Sequence, residues 1–287
     1  MLRLMKILLP GLVLVFAVSH GCPEDAVAQD DTEQTRQEKI IDHWLKVSRD
    51  QAEATQVSCG DEPVTLFDKP VFRHTQSVRG DDIGSMHLWT LKDGRPAVIG
   101  VFFAWSQNDS RWVMCEFHSL QDGPVKLLVP GTSASWSCAD PGLTWRPFDD
   151  DVPAPADTAT RRRLQSRQLS RRFAAHTIEG EKNRWELRLV PAPIYTYSTN
   201  GADELDGAVY AFCQGTDTEV LLLIEAFRQL DQWHWRYSLA HFTDYEANVT
   251  IDDEPVWKSP DGALGRSGKP HYWNFVVLQP KPDFEKQ

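Results

Sequence analysis

The feature that most limits this chain is a run of apolar segments joined by turns too short for a crossover. Segment 97–105 is strongly apolar. Lys92-Asp93-Gly94-Arg95-Pro96 precedes it and Gln107-Asn108-Asp109-Ser110 follows it, leading into a strand-like segment 111–120. Asp122-Gly123-Pro124 then turns the chain into 125–129. A parallel pair needs a connection of a dozen or more residues, so turns this short imply an antiparallel meander. Hydrophobic residues make up 41 % of the 287 and charged residues 25 %. That balance suits a folded core and excludes a disordered chain.

Helical spacing brackets the meander. Ile40, Ile41, Trp44, Leu45 and Val47 mark an amphipathic helix over 34–54, and the spacing predicts a second helix over 158–175. Further strands are expected at 64–73 and 85–91, with Pro70 placing the former at a sheet edge. In the second half they are expected at 185–190, 194–198, 208–214, 219–227, 233–242, 249–251 and 272–278. Helix then meander thus occurs twice. An offset of 123 residues lays Leu66 on Leu189, Pro70 on Pro193, Gly84 on Gly207, Trp112 on Trp235 and His118 on His241. The fold expected from this order is α+β: two tandem, duplicated domains, each with an N-terminal helix packed on an antiparallel meander. The shape is cystatin-like or NTF2-like by analogy. The boundaries are 1–28 for a signal peptide, 29–146 for the first repeat, 147–160 for a Pro/Asp-rich linker and 161–287 for the second repeat.

The signal reading rests on Arg3 and Lys6, an apolar run over 7–18, and Ala26-Val27-Ala28 before a cut at Gln29. A rival cut before Cys22 would acylate that cysteine and anchor the protein to a membrane as a lipoprotein. Either way the chain is expected to be exported, secreted or periplasmic, with no transmembrane helix in the mature form. An oxidising compartment permits disulfides. Cys59 and Cys138 lie in Ser/Gly-rich contexts and are the expected pair. Cys115 and Cys213 lie in apolar strands and read as buried thiols. No metal is expected, because no cysteines have zinc spacing and no His-x3-His pair occurs. Nor is any cofactor expected.

Within the second half, three runs resemble a family of uncharacterised secreted bacterial proteins. They are Glu186-Leu187-Arg188-Leu189-Val190-Pro191, Asp206 to Phe212, and Gln214 to Ala226. The resemblance implies export and a shared fold. It assigns no activity.

Phosphate-loop, dinucleotide, G-x-S-x-G and H-E-x-x-H motifs are all missing from the sequence. Trp112, Met114, Glu116 and His118 share one strand face, so Glu116 and His118 form the candidate acid–base pair. The chain has eleven tryptophans. Most fit a core, and Trp112, Trp235 and His241 are the candidate ligand-binding residues. Residues 161–172 hold six arginines and no acid. They read as a solvated helix face offset by Asp149-Asp150-Asp151, rather than a grip on an anionic surface. The net charge of −11 argues against nucleic acid as a partner. The expected role is a non-enzymatic module binding an unknown envelope ligand or protein. The alternatives are a hydrolase of an envelope or extracellular polymer, acting through Glu116 and His118, and a structural envelope component.

Overall fold

A computed structural model describes residues 24–76, 81–108, 110–149, 151–180, 183–200, 204–259 and 271–286. Most of the expected signal peptide, with Cys22, lies outside the described residues. The chain forms two compact units, Met1–Lys39 and Ile40–Gln287, and among the described residues every strand belongs to the second. Among the described residues no helix is long and apolar enough to cross a membrane.

Helix α1 spans Glu24–Ala54. The strands that follow are β1 (Gln56–Cys59), β2 (Thr65–Leu66), β3 (Phe72–Gln76), β4 (Asp82–Thr90), β5 (Pro96–Gln107), β6 (Ser110–Ser119), β7 (Val125–Leu128), β8 (Ser135–Cys138) and β9 (Arg146–Pro147). After α2 (Ala159–Ser170) come β10 (Phe173–Glu179), β11 (Asn183–Leu189), β12 (Tyr195–Thr199), β13 (Leu205–Gln214) and β14 (Asp217–Gln229). The last are β15 (Gln232–His241), β16 (Glu246–Ile251), β17 (Glu254–Lys258) and β18 (Tyr272–Pro280). Strands account for 54 % and helices for 16 %. The expected α+β pair of helix-plus-meander domains is therefore wrong. The protein is mostly β, with two α-helices among the described residues and large antiparallel sheets. The excess strand comes mainly from β1, β8, β9, β10 and β17, short segments without the long apolar runs of the meander.

The pairing scheme nevertheless recurs. Strands β2 and β3 both pair β4, and β11 and β12 both pair β13. Each strand pair is separated at proline, Pro70 between β2 and β3 and Pro191 and Pro193 between β11 and β12, where the missing N–H breaks the ladder. The backbone bonds at the two breaks match 123 residues apart. Phe67 N–H donates to Leu88 O (2.7 Å) and Val71 N–H to Met86 O (2.8 Å), as Val190 does to Ala211 (2.9 Å) and Ile194 to Val209 (2.8 Å). Beyond the next hairpin the offset falls to 122: Ile99 pairs His118, and Leu221 pairs Ala240. The loop before β5 is one residue longer than its counterpart, so the lower register shifts. Structurally, His118 corresponds to Ala240 and not to His241.

Inner faces of the two large sheets share one core. Met86, Leu88, Ile99 and Val101 pack there with Val209, Ala211, Leu221 and Leu223. On the outer face of the first sheet, Ile40, Trp44 and Ala52 of α1 meet Phe102, Cys115 and Phe117. On the outer face of the second, Leu169 of α2 meets Tyr210, Leu222 and Tyr237. Helix α2 stops at Ser170, five residues short of expectation. Phe173, Ala175 and Thr177 alternate inward instead, and β10 gains ladders on both sides, to β11 and β16. The arginines near α2 are not uniformly solvated. Arg162 is buried against Asp206 (Nε–Oδ2 2.5 Å) and lies 3.8 Å over Trp233, while Arg172 pairs Asp151 and Asp252.

Strands β1, β7 and β8 form a separate three-stranded sheet that sets Cys59 and Cys138 on either side of Val125. Two strand spacings, about 9.5 Å, separate their backbones, beyond the roughly 7 Å Cα reach of a disulfide. The expected bridge is thus not formed, and Cys59, Cys115, Cys138 and Cys213 are all buried free thiols.

Candidate metal centre

Antiparallel pairing of β6 with β18 builds one wall of the site. Along β6, Val113, Cys115 and Phe117 enter the α1-side core, which turns Glu116 and His118 to the other face. Tyr272 opposes His118 and Asn274 opposes Glu116, so all four side chains share that face. His271 immediately precedes β18, and its carbonyl accepts the Ser119 N–H at 2.9 Å. His241 ends β15.

These placements bring three imidazoles together. The His118, His241 and His271 ring centroids are 5.2–5.6 Å apart, and one ligand atom from each lies within 4.8 Å of the others. His118 and His241 are buried and His271 is half-buried. The Nδ1–H of His118 donates to the Ser119 carbonyl at 2.7 Å, since a carbonyl can only accept. That bond fixes the tautomer and leaves Nε2 as a bare lone pair, buried and with no hydrogen-bond partner. Burial, then the neighbouring His271, pushes the His118 pKa down to about 3 against the pull of the Ser119 bond. The ring is therefore neutral near pH 7, the form a metal takes.

The triad lines a cavity of about 160 Å³ together with Thr144, Arg146, Tyr237 and Trp257. Beside it runs a polar chain: Tyr272 donates to Glu116 (3.1 Å), and Asn274 donates to Tyr272 (3.1 Å) and to Asp244 (3.0 Å). Burial, then the charges of Asp217 and Asp244, holds the Glu116 carboxyl well above its ordinary range. Glu116 and His118, the candidate acid–base pair, share the face but bond elsewhere, Glu116 to Tyr272 and His118 to the Ser119 carbonyl.

The other candidates are scattered. Trp112 sits at the far end of β6 against Trp105, with ring centroids 6.0 Å apart. Trp235 is buried, donates to the Pro153 carbonyl at 3.1 Å, and lines two other clefts, of about 300 and 630 Å³. His241 alone of the expected ligand residues joins His118. His271 escaped sequence reasoning because it belongs to no local motif.

Three imidazoles converging on a point, one braced through its second nitrogen by a carbonyl, suit a borderline transition-metal ion such as zinc. Zinc–nitrogen bonds of about 2.0–2.1 Å put tetrahedral ligand atoms about 3.3 Å apart, so the rings must close by at most about 1.5 Å. Comparisons with known protein families, curated proteins and solved structures return no match, and the resemblance in 186–226 finds no counterpart among them.

Proposed function

We propose that this protein binds one divalent transition-metal ion of the zinc class through His118, His241 and His271. Combined with the export signal read over 1–28, this makes it a metal-binding protein of the cell envelope or its exterior. The observation that carries the reading is the convergence of three imidazoles on a cavity, with the His118 Nε2 buried and otherwise unsatisfied. A buried polar atom without a partner costs about 1–3 kcal/mol, and a bound ion would recover that cost. Three protein ligands leave a tetrahedral ion one position for another group.

The test is calorimetric titration of chelator-treated protein with Zn²⁺ and Co²⁺. One ion per chain is expected. His118→Ala and His271→Ala should each weaken binding by more than the roughly 10–100-fold typical of losing an outer-shell partner. Equal affinity in wild type and both variants would sink the proposal.

A further inference from the structure

The cavity beside the triad holds a second, independent signal. Arg146 lies on β9, opposite Tyr237 of β15, and its side chain reaches the cavity. Its guanidinium donates to the Val256 carbonyl and to the Tyr237 side chain. Among the described residues it pairs with no carboxylate. Three other inward arginines each have one: Arg111 has Asp81 and Glu285, Arg162 has Asp206, and Arg236 has Glu225. Among the described residues no aspartate or glutamate lines the cavity.

Resting on the metal reading above, we propose that the open coordination position takes a small oxyanion, a carboxylate or an inorganic acid anion, clamped between the ion and Arg146. The charges require it. A divalent ion on three neutral imidazoles, with a guanidinium beside it, concentrates positive charge in a half-buried space whose described lining has no carboxylate, while Glu116 and Asp244 beside it are bonded to Tyr272 and Asn274; an unpaired charge there is costly. The donor chemistry agrees, because a guanidinium presents a planar fork that matches two oxygens of one anion. Size allows such a ligand. About 160 Å³ is room enough for acetate, bicarbonate or phosphate.

The experiment loads the full chain with Co²⁺ and follows its visible d–d bands. Sodium acetate, bicarbonate and phosphate are added in turn at constant ionic strength set with chloride. At least one should shift the bands saturably, and the best of the three identifies the anion class. Arg146→Met should keep the anion-free cobalt spectrum and weaken that anion at least about tenfold, with Arg146→Lys between the two. Bands that form but respond to none of the anions overturn the oxyanion proposal and leave the metal reading intact. The same holds for Arg146→Met binding the anion as tightly as wild type. A chain that develops no cobalt bands overturns both. A variant that loses the anion-free spectrum has lost the site rather than the clamp. Arg146→Lys, which keeps the charge but not the fork, then decides: unchanged anion affinity in it refutes the clamp.

Discussion

His87 should make the fold acid-sensitive by a calculable amount. It sits on β4, buried under α1, with its Nε2 2.9 Å from Ser85 Oγ and 3.3 Å from Ser48 Oγ. The two hydroxyls also bond each other at 2.8 Å, so the ring closes a small polar cluster inside apolar surroundings. Burial lowers its pKa from 6.5 to about 4. Arg49 adds to the shift and Glu53 opposes it, both from α1. Between those two values the unfolded chain holds a proton that the folded chain does not. Stability from this group is therefore complete above pH 6.5, falls as the pH drops through the window, and stops falling below about pH 4. Going from about pH 7.5 to about pH 5, the linkage amounts to about 2 kcal/mol. Urea unfolding of the chelated protein at several pH values measures it. The wild-type curve should lose about 2 kcal/mol more over that interval than His87→Gln, which keeps hydrogen-bonding capacity but cannot titrate. Parallel curves would show that the ring is not held neutral by burial, and the reasoning would fail.

Two further outcomes follow from buried groups. Arg162→Met leaves the nearly buried Asp206 without its cation and should cost about 3–5 kcal/mol in urea unfolding. Adding Asp206→Asn should recover part of that, and a single-variant cost below about 1 kcal/mol would refute the pairing's importance. Burial raises the Cys59 thiol to about 11 and the Cys213 thiol to about 12. Near pH 8 the native protein should therefore resist alkylation at both, and denaturation should make Cys59, Cys115, Cys138 and Cys213 all reactive; a Cys59–Cys138 disulfide in non-reduced peptides would contradict the sheet register.

How far the fold could be read depended on segment length. The meanders were readable because long apolar runs met turns that only a hairpin satisfies, as at Asp93-Gly94. The four-residue strand Ser135–Cys138 was missed although Trp136 and Cys138 alternate with serines in the period-two pattern of a strand. Two inward residues are too few to stand out against a loop. Phe173 misled in the opposite way. It extends the apolar stripe of Leu169 by one helical turn, and only the ladders available from β11 and β16 decide for strand. The fold-class error came mainly from these short segments, since β1, β8, β9, β10 and β17 complete sheets that the long segments begin.

The site obeys a harsher rule. The 123-residue match paired His118 with His241 as equivalents, and that inference was false: one extra residue before β5 shifts the register and makes Ala240 the counterpart of His118. The two histidines meet for a different reason. Each stands at the end of a strand, β6 or β15, and β18 returns along β6 to bring His271 to the same end. Local spacing was therefore the wrong instrument for finding this histidine cluster. A motif such as His-x3-His tests whether one helix turn holds two ligands, whereas this triad draws on three strand termini, two of them 123 residues apart and the third 30 residues further on. What the sequence did carry was the pairing of each histidine with a strand end. Strand ends are where a sheet can offer side chains to a cavity without disturbing its ladder, and Arg146, on the two-residue strand β9, reaches the same cavity on the same terms.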